Sequence, residues 1–208
     1  MNSLKTIIEL IMGLFGGNAE VVAPTPVVPE PLEVIDIRKS LAKHATKTWK
    51  TRSLPALKHI AVHHVGSPNA SFAGIAKYHS TPGPDNHLSA EGVPGISYAY
   101  GIDRDGKCYH LNNDSSLTYH VANRNGKALG VLVLCDAGSA EHVGLEEPTK
   151  EQIKALPQPM DYLVEKYPQV KPVGHCELAI EKYKKPSCPG DLIMEVISNY
   201  RSKNEKTI

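Results

Sequence analysis

Apolar residues alternate between strand-like runs and helical spacing from about residue 57 onward. Residues 57–65 form a mostly apolar run and predict a buried strand that carries His63 at its end. Phe72, Ile75, Ala76 and His79 recur at helical spacing and predict a helix over 71–80. Residues 82–94 are polar and punctuated by Gly and Pro, which predicts a loop. Residues 96–102 and 107–111 read as a hairpin turning at Asp103-Arg104-Asp105-Gly106, where Asp-Gly supplies the turn geometry. Residues 128–135 are almost continuously apolar, which suits a central strand covered on both faces. A helix starts at Thr149, with Glu151 or Gln152 near the capping position. Pro157 and Pro159 interrupt it, so a kink or two short helices are expected. A short strand over 170–173 and a closing helix over 191–200 complete the pattern. Strands alternating with helices predict an α/β domain of three layers, a central mixed sheet flanked by helices.

The first 47 residues read differently. Residues 1–17 hold Leu4, Ile7, Ile8, Leu10, Ile11, Met12, Leu14 and Phe15, an apolar stretch too short to span a bilayer as a helix. Glu9 interrupts it, and residues 16–20 make a poor cleavage site. Two readings stay open for it: a weak export or membrane-interface segment, or a short helix docking on a partner. Pro24, Pro26, Pro29 and Pro31 favour an extended linker, and Leu32, Val34, Ile37 and Leu41 give partial helical periodicity within 33–46. The expected organisation is an apolar segment 1–17, a Pro-rich linker and short helix 18–47, the domain proper 48–202, and a tail 203–208.

A chain of 208 residues holds one ordinary domain with a real core plus extra sequence. Its net charge of +1, without a basic block, gives no electrostatic reason to expect nucleic-acid binding. Tyr is common (nine) where Phe and Trp are scarce (two and one), which suits a sugar or peptide groove. Cys108 and Cys135 lie in strand-like runs and read as small buried side chains, with a disulfide between them left open.

Candidate chemistry gathers in two segments. Gly174-His175-Cys176 is followed, after a charged loop, by Ser187-Cys188-Pro189-Gly190. Imidazole nitrogen and thiolate sulfur both suit Zn²⁺, and His63 at the end of the first strand offers a third donor. Three protein ligands leave one position open, the pattern of a catalytic zinc site. Cys176 competes with Cys188 for the metal, and His64 competes with His63, since adjacent strand residues point to opposite faces.

The runs His59-Ile60-Ala61-Val62-His63-His64, Gly95-Ile96-Ser97-Tyr98-Ala99-Tyr100-Gly101, and Gly174-His175 with Cys188-Pro189-Gly190 occur in that order. Together they resemble the zinc-dependent N-acetylmuramoyl-L-alanine amidases, a family that includes phage endolysins and peptidoglycan recognition proteins. The resemblance covers roughly residues 55–202. It implies one zinc ion held by His63, His175 and Cys188. It also implies hydrolysis of the amide between N-acetylmuramic acid and L-alanine of peptidoglycan. Tyr98 matches the family's tyrosine near the metal, with Tyr100 as its competitor two residues along the strand. Lys185 stands near the position of a basic oxyanion donor, although the directly matching residue is Pro186. His64, His120 and Asn123 fall in stretches that resemble groove-lining substrate contacts. A lone domain of this kind looks most like an endolysin: a monomer, phage- or prophage-encoded, acting on the cell wall from the periplasm or outside. The rivals are a non-catalytic peptidoglycan-binding module and an interaction domain whose zinc is closed by Cys176.

Overall fold

The computed structural model describes residues 32–140, 142–178 and 186–204. The expectations for residues 1–17, for most of the Pro-rich linker and for Lys185 lie outside these residues.

Six strands form one mixed sheet: β1 (Val34–Asp36), β2 (His59–His64), β3 (Tyr100–Ile102), β4 (Cys108–His110), β5 (Ala128–Val133) and β6 (Lys171–Gly174). Their order across the sheet is β1-β4-β3-β5-β2-β6. Only β3 and β4 pair antiparallel, as the hairpin around Gly106 requires. The other neighbours are parallel.

Helices α1 (Phe72–Ser80), α2 (Lys150–Ala155), α3 (Pro157–Lys166), α4 (His175–Leu178) and α5 (Asp191–Asn204) complete the fold. Ser71 caps α1, and Thr149 with Gln152 closes a capping box on α2. Pro157 opens α3 where its missing N–H is harmless, so the expected interruption resolves into two helices.

Alternation along β5 builds the three layers. Leu129, Val131 and Val133 join clusters with Leu156, Met160, Leu163, Ile193 and Ile197 of the α2–α3–α5 layer. Leu132 and Leu134 pack on the other face with Phe72, Ile75 and Ala76 of α1. Every residue of β5 is buried, as its continuous apolar run predicts. The polar side of the fold has its own anchor. Asp114 accepts hydrogen bonds from Tyr100 Oη (2.9 Å), Lys166 Nζ (2.8 Å) and Tyr167 Oη (2.6 Å), and His110 Nε2 lies 3.2 Å away. Burial alone would raise the Asp114 pKa, but these donors together hold it well below the usual carboxylate range.

Three local expectations are corrected. The short helix expected within 33–46 is instead strand β1, paired with β4, followed by a turn-rich segment that buries Leu41. The strand expected from 96 begins only at Tyr100. The carbonyls of Ile96 and Tyr98 are held by a side chain instead, with Asn112 Nδ2 donating to Ile96 and to Tyr98 (3.1 Å). Tyr98 and Tyr100 therefore do not share a face: Tyr98 lines a groove, whereas Tyr100 is fully buried toward α3. Cys108 and Cys135 are both buried and free, as small core side chains.

Candidate metal centre and groove

Parallel register brings the first two donors together. Val62 of β2 pairs with Gly174 of β6, so the next residues, His63 and His175, lie side by side with ring centroids 4.5 Å apart. Gly174 is required at this crossing: a Cβ there would meet Met194 Sδ at 2.2 Å and Pro189 Cδ at 2.9 Å. The third donor arrives because Cys176 N–H bonds the Cys188 carbonyl at 2.9 Å, which fastens the Cys188 loop to α4. The donor atoms of His63, His175 and Cys188 all lie within 4.8 Å of one another. Cys176 is outside this group, and its sulfur lies 4.0 Å from Met194 Sδ.

A chain of hydrogen bonds sets the tautomer of His63. The Ala128 carbonyl can only accept, and His120 Nε2 lies 3.2 Å from it, so that nitrogen carries the proton. Burial first, then the nearby Arg52 charge, lowers the His120 pKa to about 3, so the ring is neutral. Its Nδ1 is therefore a lone pair, 3.0 Å from His63 Nε2, which must donate. His63 Nδ1 is left as a lone pair aimed at Cys188 Sγ, 3.8 Å away. Burial first, then the surrounding histidines, pushes the His63 pKa well down, so the donor nitrogen stays free of protons. Metal-binding histidines commonly donate their other N–H to a fixed acceptor, and a neutral imidazole fills that place here. Gly130 makes room for it, since a Cβ there would stand 3.0 Å from His120 Cγ. Arg52, buried among the carbonyls of Ser116, Asn125 and Ala128, holds the same loop.

The donors line a groove of ≈ 590 Å³. His64, Tyr98, His120, Leu88, Tyr119 and His142 also line it, and among the described residues no carboxylate does. Both His63 and His64 therefore face the groove, contrary to strict strand alternation. His64 ends β2, and its ring is held by a hydrogen bond from Ala137 N–H to Nδ1 at 3.0 Å. That bond leaves the proton of the neutral ring on Nε2. Tyr98 packs edge-on to His63, with ring centroids 5.2 Å apart. Burial, then the Cys188 sulfur, pushes the Tyr98 pKa well above that of an ordinary phenol.

Two expected substrate contacts change. His120 lines the groove, but both its ring nitrogens are engaged by His63 and Ala128. Asn123 is exposed in a left-handed turn (φ 63°) and is not among the lining residues. Asn125 lines the groove in its place, and its Oδ1 accepts from the N–H groups of His120 (2.9 Å) and Val121 (2.8 Å). His87 and His142 were missed by sequence reasoning because neither sits in a motif; both lie in loops that only the fold brings to the groove.

The sequence model of the N-acetylmuramoyl-L-alanine amidase family matches residues 53–191. No curated protein matches the chain by sequence. Among solved structures, the chain is similar to the Ph2119 endolysin from the Thermus scotoductus MAT2119 bacteriophage, at 21% identity and TM-score 0.61, covering 81% of this chain and 98% of that one. It is also similar to the endolysin amidase LysCS from Clostridium intestinale URNW, at 19% identity and TM-score 0.59, covering 82% and 97%. Drosophila PGRP-LB is similar at 20% identity and TM-score 0.61, covering 80% and 93%. At such identities these structures speak for the fold, and the family match speaks for descent. With the match spanning two thirds of its length, the chain belongs to the N-acetylmuramoyl-L-alanine amidase family.

Proposed function

We propose that this protein is a zinc-dependent amidase that hydrolyses the bond between the lactyl group of N-acetylmuramic acid and the L-alanine of the peptidoglycan stem peptide. The observation that carries this reading is the convergence of His63, His175 and Cys188 within 4.8 Å in the wall of the groove. Two imidazoles and a thiol suit zinc, the His63 tautomer leaves a lone pair among the donors, and three ligands leave one position open. Zinc, when bound there, supplies a Lewis acid and a water acidified toward pH about 7.

The chain's own residues bind and orient the substrate. Tyr98, with its pKa held high by burial, keeps its proton at physiological pH and donates a hydrogen bond to the scissile carbonyl oxygen as charge grows there. His64 presents Nε2–H from the groove rim as a second donor for the muropeptide. Leu88 and Tyr119 give the groove apolar surface for sugar and peptide faces. Among the described residues no helix is long and apolar enough to cross a membrane. The protein acts on the cell wall as a monomer with one zinc per chain, released by a phage or prophage at lysis.

Elemental analysis beside release of material from purified sacculi tests the reading. Wild type and Cys176→Ser are expected to hold zinc and release soluble peptide, and Cys188→Ser to lose both. Zinc retained in Cys188→Ser but lost in Cys176→Ser refutes the ligand set. Sacculi bound but left uncut by the zinc-loaded protein favour the non-catalytic binding module.

A further inference from the structure

The small net charge conceals one uneven segment. Between Arg38 and Lys50 the chain carries Arg38, Lys39, Lys43, Lys47 and Lys50 with no acidic residue. All of it precedes the span matched by the family model, which begins at residue 53. Yet the fold fastens it beside the groove. His44 N–H bonds the Pro94 carbonyl at 3.1 Å, Leu117 N–H bonds the Lys50 carbonyl at 2.7 Å, and Thr51 bridges Ser116. The His44 ring organises the turn: its Nδ1 accepts from Thr46 and Lys47 N–H at 3.1 Å, and its Nε2 reaches the Glu91 carbonyl at 3.0 Å. Lys47, Thr48, Trp49 and Lys50 follow directly from that turn.

These residues frame a furrow next to the groove. Lys47, Lys50, Ser89 and Tyr119 line it, and Leu88 and Tyr119 line the groove as well. Trp49 meets Tyr119 edge to face, with centroids 5.3 Å apart. Lys47 and Pro94 continue the lining into a further hollow that Lys43, Trp49 and Arg38 share. Among the described residues no carboxylate lines either hollow. Glu91 is exposed and accepts a hydrogen bond from Ser89 Oγ at 2.7 Å. Arg38 is engaged by Asp36, and Lys47 Nζ reaches the Gly92 carbonyl at 2.6 Å, which steadies its ammonium at the furrow edge.

Lysine ammoniums without lining carboxylates call for an anion, and the flanking aromatic pair calls for apolar faces beside it. We propose that this furrow is a subsite of the groove that holds the carboxylate-bearing stem peptide, with Lys47 and Lys50 meeting its carboxylates and Tyr119 passing the chain on from the metal centre. The subsite rests on the amidase reading for its substrate class. The amide-bearing sugars of the glycan strand are neutral, so the peptide supplies the charge.

Trp49 is the only tryptophan in the chain, so its emission reports on this furrow directly. The test titrates the full-length protein with the free tripeptide L-alanyl-γ-D-glutamyl-L-lysine, and with the same peptide amidated at its carboxylates. The free peptide is expected to change Trp49 emission saturably. The amidated peptide is expected to bind about tenfold more weakly, and Lys50→Gln to weaken the free peptide about fivefold. Raising salt should erode the difference between the two peptides. Lys107→Gln, an exposed lysine that lines neither hollow, should titrate like wild type. Equal binding of both peptides, an unchanged Lys50→Gln, or no Trp49 response overturns the subsite. The tripeptide has no scissile bond, so this outcome is independent of catalysis. A protein that cuts sacculi but fails the titration keeps the proposed function and loses the subsite. One that passes the titration and leaves sacculi whole keeps the subsite and loses the amidase reading.

Discussion

Replacing His120 by Phe tests the hydrogen-bond chain that prepares His63. The substitution keeps a flat ring over Gly130 while removing both nitrogens. The Ala128 carbonyl retains Arg52 as a donor, so the loop keeps its main anchor. His63 Nε2–H, now 2% exposed and bonded at 3.0 Å, loses its acceptor. A buried donor left unsatisfied costs about 1–3 kcal/mol. The ring can escape that cost only by moving its proton to Nδ1, the nitrogen that faces Cys188, and that removes it as a ligand. The zinc-free ring takes that escape, so zinc binding must restore the unpaired Nε2–H, and affinity falls by about 5- to 150-fold on the energy scale and about 10- to 100-fold by the usual effect of such supporting residues. Competition against a chromophoric zinc chelator at neutral pH measures the constant, and a thermal melt of the zinc-free protein separates loss of metal from loss of fold. His120→Phe that folds and binds zinc as tightly as wild type refutes the tautomer argument.

Other consequences follow from the same geometry. Gly130→Ala pushes a methyl group against the His120 ring and is expected to weaken zinc binding in the same direction, read by the same chelator assay. Tyr98→Phe should keep zinc and fold but slow sacculus hydrolysis by on the order of 10²-fold, whereas Tyr100→Phe should spare turnover and lower the melting temperature, because its hydroxyl serves Asp114. Asp114→Asn should destabilise the fold by about 2 kcal/mol at pH 7, in denaturant titrations. The folded-state Asp114 pKa is depressed, so its contribution is present above the unfolded value of about 4 and fades as pH falls through the lower folded value. The gap between wild type and Asp114→Asn should therefore narrow in melts below about pH 4; a gap that widens in acid contradicts the assignment.

Much of the fold was readable because its signals are local. The apolar runs of β2 and β5 and the prolines dividing α2 from α3 act within a few residues of themselves. The α/β mixed sheet expected from them is the sheet observed. β1 escaped because three residues at a sheet edge carry too little pattern, and its pairing with Cys108–His110 is long-range. Tyr98 was misplaced onto a strand because Asn112, a side chain from beyond the hairpin, satisfies the backbone that a ladder would otherwise pair. That His63, His175 and Cys188 could meet was legible from their donor chemistry, with His63 and His175 at strand ends and Cys188 in a loop. The role of His120 was not, since it depends on the absent side chain of Gly130 and the carbonyl of Ala128. Asn125, not Asn123, holds the groove turn, a choice made by which of the two residues adopts the left-handed conformation.

Mass spectrometry of purified sacculi digested by the zinc-loaded protein tests the central claim most directly. The account predicts free stem peptides that begin with an unblocked L-alanine, together with glycan strands stripped of peptide, and neither product with Cys188→Ser. Muropeptides released with the bond between N-acetylmuramic acid and L-alanine intact, or sacculi left undigested by protein that holds its zinc, would contradict it.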